Sequence, residues 1–178
     1  MTPDVMKFGM EQLTNVSGST ILEVGSQDVN GSLKPYLMAQ GPLVYIGVDM
    51  QPGKSVDEVL HSSKLVERFG RETFDIVIST EMLEHCLDWQ SAVSNMKNVL
   101  KPGGSLLLTA RSPGFPRHCH PDDYWRFTGE IFMSAFSDMR IVCIQFDSQP
   151  GIMMMAVKPD DFIETDISEI NAVSMKGA

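Results

Sequence analysis

Two short stretches of the chain carry residues whose types and positions could do chemistry. The first is Glu23-Val24-Gly25-Ser26-Gln27-Asp28-Val29-Asn30-Gly31-Ser32. A glycine directly after an apolar run permits a tight turn and lets a ligand approach bare backbone. Gly31 and Ser32 then read as the opening of a helix whose amides can face a carboxylate or phosphate. The spacing lacks the GxGxxG of a dinucleotide fingerprint, which argues against a nicotinamide oxidoreductase. Taken alone, the stretch is equally a plain strand-to-helix turn. The second stretch ends in Asp49, directly after Tyr45-Ile46-Gly47-Val48, one strand–helix–strand unit downstream of Gly25. A carboxylate there can accept both hydroxyls of a ribose. An isolated Asp would read better as a cap or a solvated loop acid; its pairing with the Gly25 turn favours ribose.

A third group lies in RSPGFPRHCHPDDYWRF, residues 111–127. It holds three prolines and no periodicity, so it reads as a long loop, and a loop of that length in a compact domain is usually functional. Arg111, Arg117 and Arg126 suit a carboxylate or phosphate, and the faces of Tyr124 and Trp125 suit a ring. The acceptor these residues fit is a small, polar, anionic or sugar-like molecule. The aromatics serve equally well as a plug bracing the next helix, whereas His120 fits a lid. His85 follows Glu84 near a strand end, where it could act as general base for a hydroxyl or simply bond a backbone carbonyl. His118-Cys119-His120, with His85 and Cys86, invites a metal reading. Adjacent residues of an extended loop point to opposite sides, however, and no spaced CxxC or HxxxH accompanies them. The expectation is no metal, with His85 and His120 as candidate catalytic groups and Cys86 and Cys119 as free thiols.

These residues need a scaffold, and the apolar patterning supplies one. Thr20–Val24, Leu43–Val48, Ser55–Leu60, Phe74–Ser79 and Ser105–Thr109 read as strands. Gly31–Gln40, Ser63–Arg71, Asp88–Leu100 and a segment N-capped by Thr128 read as helices, the third with Ala92, Val93, Met96, Val99 and Leu100 at helical spacing. Ser148-Gln149-Pro150-Gly151 turns Ile141–Phe146 back into Ile152–Val157 as an antiparallel hairpin at a sheet edge. Alternating strands and helices give an α/β fold with an open, mostly parallel sheet covered on both faces, whose ligands bind beyond the carboxyl ends of the strands. That points to the segments after Val24, Val48, Ser79 and Thr109.

Composition bounds the partners. The 178 residues fit one domain, with residues 1–17 as an N-terminal helical segment, the fold over residues 1–158, and a polar acidic tail over 159–178, in which Phe162, Ile163, Ile167 and Ile170 could dock one face while the last residues are expected to fray. With 14 Lys+Arg against 23 Asp+Glu, the net charge of -9 opposes an extended nucleic-acid partner. No run reaches the ~20 apolar residues of a bilayer span, so no membrane is expected. Three cysteines at unrelated spacings and the absence of a signal peptide point to the cytoplasm.

The segments ILEVGSQDVNGS, YIGVDMQPG, FDIVISTEMLEH and NMKNVLKPGGSLLLT, in that order, resemble class I S-adenosylmethionine-dependent methyltransferases over residues 18 to 158. Pro121-Asp122-Asp123-Tyr124-Trp125-Arg126-Phe127-Thr128 resembles the small methyltransferase-domain type with a PxDYWRFT segment. The resemblance implies a Rossmann-like three-layer sandwich with a seven-stranded sheet, and S-adenosylmethionine as cofactor. Glu23 and Gly25 would line its methionine end with Ser26 beside them. Asp49 would hold the ribose, Met50 would pack on adenine, and Ser79, Thr80 and Glu81 would flank the sulfonium. Two positions depart from the family pattern: Gln27 replaces a glycine, and no acid follows the third strand, leaving Ser62 or a carbonyl to meet the adenine amino group. Arg111, Tyr124, Trp125 and Arg126 would bind the small-molecule or glycan-type acceptor. With no added substrate domain, the acceptor is small or held partly by a second subunit, as in a homodimer. The competing reading is a non-catalytic nucleoside-binding or assembly module.

Overall fold

The structure is a computed structural model and describes residues 1–118 and 122–175. Strands β1 (Thr20–Val24), β2 (Val44–Asp49), β3 (Glu58–Val59), β4 (Phe74–Thr80) and β5 (Leu100–Arg111) pair in parallel. β6 (Trp125–Arg126) stands apart from them. β7 (Arg140–Asp147) and β8 (Gly151–Val157) form the antiparallel hairpin, with β8 against β5. The sheet order is β3-β2-β1-β4-β5-β8-β7. The chain therefore leaves β1 toward one edge, then returns to build β4 and β5 on the other side. That reversal opens a crevice at the carboxyl ends of β1 and β4.

Strands buried on both faces read as continuous apolar runs, and successive side chains alternate between faces. Leu22, Val77, Leu106, Leu108 and Met154 join one cluster with α3 (Leu65–Phe69 after the α1 and α2 segments), α4 (Trp89–Val99) and α5 (Gly129–Ala135). Ile21, Ile76, Ile78, Leu107 and Met153 join the other with α1 (Pro3–Gln12) and α2 (Lys34–Met38). The result is the three-layer sandwich. Asp88 caps α4 by accepting from the Ser91 amide, and Thr128 caps α5 by accepting from the Ile131 amide, as its sequence position implied. No helix among the described residues is long and apolar enough to cross a membrane.

Several boundaries differ from the sequence reading. The helix expected from Gly31 begins only at Lys34, so the Gly31 and Ser32 amides do not open it; Gly31 N–H instead donates to Asp28 Oδ1 at 2.9 Å. The expected strand from Ser55 shrinks to Glu58–Val59. Ser55 has φ 71°, and the Asp57 carboxylate accepts the Gly47 amide at 2.7 Å, which delays the ladder. The tail docks through three of the four apolar residues expected to do so, Ile163 being the exception, while the last residues, 176–178, lie outside the described ones. Ile167 and Ala172 are buried, with Phe162 and Ile170 packed beside them. β9 (Val173–Ser174) pairs with β6, and Ile163 is 84% exposed.

Candidate active site

A cleft of about 570 Å³ lies at the carboxyl ends of β1, β2, β4 and β5, a size typical of small-molecule sites. Its floor is the turn after β1. Gly25 has φ 78°, and a Cβ there would stand 2.6 Å from Met82 Cγ. The Gly25 and Ser26 amides both donate to the Val48 carbonyl, at 2.9 and 3.0 Å, fastening this turn to β2. Asp49 ends β2 with its half-buried carboxylate on the cleft wall. Oδ2 accepts from Gln27 N–H at 3.1 Å and Oδ1 from Gln51 N–H at 3.2 Å. Each oxygen keeps further acceptor capacity. Met50, Leu60, His61 and Ser62 line the same end, where Ser62 Oγ lies 3.7 Å from Cys86 Sγ.

The opposite end is acidic. Glu23 is 2% exposed, and burial pushes its carboxyl up to about 7, against the pull of a hydrogen bond from Tyr45. Glu81 follows β4 with φ 54°, unusual for a side-chain-bearing residue. Its amide donates to Thr109 O at 3.0 Å. Its carboxylate pairs with Arg111 and lies 3.3 Å from the Met1 ammonium. Arg111 also meets Asp147 at 3.2 Å, so its guanidinium sits between two carboxylates. Glu84 beneath them is fully buried; burial pushes it up to about 8, and neither oxygen has a hydrogen-bond partner among the described residues.

Residues from 112–118 and 122–127 form the remaining wall. Phe115, His118, Asp122 and Tyr124 face the cleft, with the Phe115 ring 4.1 Å from the Arg111 guanidinium carbon. His85 lines it as well, and its Nδ1 bonds the Asp122 carbonyl. A carbonyl can only accept, so Nδ1 carries the proton. Alternation divides the aromatics. Tyr124 faces the cleft, while Trp125 Nε1 donates to the Cys86 and Leu87 carbonyls, at 3.0 and 3.3 Å, and Phe127 packs edge-on against Trp89.

The structure thus brings Glu23, Gly25, Ser26, Asp49, Met50, Ser62, Thr80, Glu81, His85, Arg111 and Tyr124 to one cleft. Ser79 is buried beneath it. Trp125 and Arg126 lie outside it, with Arg126 held by Asp123 Oδ2 at 2.7 Å and by the Pro116 carbonyl at 3.0 Å. His120 and Cys119 lie outside the described residues; Cys86 is a free thiol. Glu84, His85 and His118 each bring one potential metal-ligating atom within 4.8 Å of the others; the sequence set His85 beside His118, and the fold adds Glu84. Met82 and Phe115 were also missed, since apolar and aromatic residues carry no local sign of facing a cleft.

Residues 22–108 match the family model for the methyltransferase domain. The match runs from β1 to β5 and covers just under half of the chain. The chain is 36% identical over 109 residues to the human mitochondrial ubiquinone biosynthesis O-methyltransferase, covering 52% of this chain and 28% of that one. It is 26% identical over 113 residues to the ubiquinone biosynthesis O-methyltransferase of Pseudomonas fluorescens, covering 56% of this chain and 47% of the relative. The chain thus spans half or less of the length of these two relatives. Among methyltransferase structures, it shares its fold with the Burkholderia thailandensis 1,6-didemethyltoxoflavin-N1-methyltransferase, solved with 1,6-didemethyltoxoflavin and S-adenosylhomocysteine. The TM-score is 0.71 at 17% identity, over 89% of this chain and 78% of the other.

Proposed function

We propose that the chain binds S-adenosylmethionine across the tips of β1, β2 and β4 and transfers its methyl group to a small-molecule acceptor. The observation that carries this reading is the Asp49 carboxylate, held on the cleft wall by two backbone amides beside a Gly25 turn that leaves no room for a Cβ. Bound S-adenosylmethionine supplies an electrophilic methyl carbon on a cationic sulfur. Asp49 accepts the ribose hydroxyls, Met50 packs on the adenine, and Ser62 meets its edge. Glu23 and Glu81 place negative charge near the amino-acid and sulfonium groups, while Thr80 and Met82 fill the floor between them. The protein positions the reactants in line and excludes water, which is most of what such a displacement needs.

The acceptor enters beside Phe115, His118 and Tyr124. Arg111 and Arg126 are each engaged by carboxylates. Neither offers an uncommitted cation, so an uncharged acceptor fits better than an anion. Phe115, His118 and Tyr124 give it ring faces, and His85, oriented by the Asp122 carbonyl, is placed to take a hydroxyl proton. The names of the relatives favour an oxygen acceptor, whether phenol or sugar hydroxyl. Calorimetry with S-adenosylhomocysteine tests the reading. The unaltered protein is expected to bind, and Asp49→Ala to weaken binding at least about 10-fold by removing two charge-assisted hydrogen bonds. Equal affinity in both proteins would overturn it. Binding without turnover across a screen of hydroxyl acceptors would leave a nucleoside-binding module.

A further inference from the structure

Glu23 lies at the centre of the sheet, opposite Gly47 on β2 and Ile78 on β4, neither of which carries a polar side chain to meet it. Its carboxylate is nonetheless 2% exposed and lines the cleft. Among the described residues its one hydrogen bond comes from the Tyr45 hydroxyl, which donates to Oε2 at 2.8 Å. Tyr45 stands two residues before Gly47 on β2, and its ring carries the Lys34 ammonium 5.2 Å from its centroid. Lys34, from α2, is itself paired with Asp57 at 2.7 Å. Asp28, in the turn after β1, is paired with Lys54. The charged and titratable groups around Glu23 are therefore Tyr45, Lys34, Asp57 and Asp28, and the three charged ones have partners elsewhere. A desolvated carboxylate in that setting must take up a proton or a cation.

We infer that Tyr45 is a positioning residue for Glu23, holding its carboxylate in the orientation and ionisation state that receives the ammonium of a bound amino-acid moiety. This rests on the reading of the cleft as an S-adenosylmethionine site. Burial pushes Glu23 up to about 7 while the Tyr45 bond acts in the opposite sense. An ammonium binds the ionised form, so binding below that value must expel a proton. Removing the phenol oxygen raises the Glu23 pKa further and moves this requirement to higher pH.

The experiment is calorimetric titration with S-adenosylhomocysteine between pH 5.5 and 7.5, with 5′-methylthioadenosine, which lacks the amino-acid moiety, as the control ligand. For the unaltered protein, affinity for S-adenosylhomocysteine should fall about 20-fold from the top to the bottom of this range, following protonation of one carboxyl with a pKa near 7. Tyr45→Phe should bind it about fivefold or more weakly at pH 6.5, with the midpoint displaced upward. 5′-Methylthioadenosine should bind both proteins alike at every pH. An unchanged midpoint in Tyr45→Phe, or an equal loss for both ligands, would overturn the inference. If Tyr45→Phe does not fold, proton release by the unaltered protein at pH 6.5, measured in two buffers of different ionisation enthalpy, decides instead: release supports the inference and its absence overturns it. Failure of the unaltered protein to bind either ligand refutes the cofactor site itself, a distinguishable result.

Discussion

At the scale of single residues, burial sets the chemistry of Glu84. Desolvation pushes its carboxyl up to about 8, so the folded protein holds this proton more tightly than the unfolded chain does. The stability this contributes is complete below the unfolded value near 4.5 and is lost as the pH rises through about 8. Glu84→Gln removes the ionisation at nearly constant shape. Thermal melts should show its midpoint several degrees above that of the unaltered protein at pH 8 and close to it at pH 4.5; a pH-independent shift would contradict this. Residues differ in how openly the sequence declares them. Asp49 and Gly25 are legible because each ends an apolar run, where the sheet topology puts ligands. Glu84 reads in sequence as an ordinary charged residue in Glu84-His85, and only packing beneath Glu81 and Arg111 removes it from water.

At the scale of elements, the join between α4 and α5 depends on one ion pair. Lys97 is buried within α4, yet its ammonium donates to the Ala135 carbonyl at 2.7 Å and to both Asp138 oxygens at 2.7 and 2.8 Å. Asp138→Ala strands a buried charge and is expected to lower stability by about 3–5 kcal/mol in denaturant titrations. A loss no larger than that of an exposed Asp→Ala substitution would show that water reaches Lys97. Strands β1, β2, β4 and β8 and helix α4 were legible because their apolar periods are unbroken. The start of α2 was not, because the Asp28 carboxylate accepts the Gly31 amide and Pro35 occupies the first turn, so the helix forms later and shorter. Lys97 falls at a polar position in the helical pattern, and nothing local announces that α5 will cover it.

At the scale of the whole molecule, the tail ties the acceptor wall to the helical layer. Met175 N–H donates to the Tyr124 carbonyl at 2.8 Å, while the Tyr124 amide donates to the Glu84 carbonyl at 2.8 Å. Gln90 reaches the Ile170 carbonyl at 3.1 Å, and Asn98 reaches Glu164 at 2.8 Å. Met175→Pro deletes one of these donors and interrupts the ribbon. Hydrogen exchange at residues 122–126 should then accelerate roughly tenfold, the equivalent of one hydrogen bond, with β1 and β4 unaffected. Unchanged exchange would mean that the wall holds itself. The sequence by itself determined the strand and helix order, the two-sided sheet and the positions of Gly25 and Asp49, because each depends on local periodicity and on where apolar runs stop. Only the tertiary structure decided that Trp125 and Arg126 brace the wall while Tyr124 faces the cleft, that Arg111 is neutralised by two acids, that Tyr45 reaches Glu23, and that the tail adds a strand to β6. Those outcomes depend on contacts between residues far apart in the chain, whose partners are chosen by packing rather than by spacing.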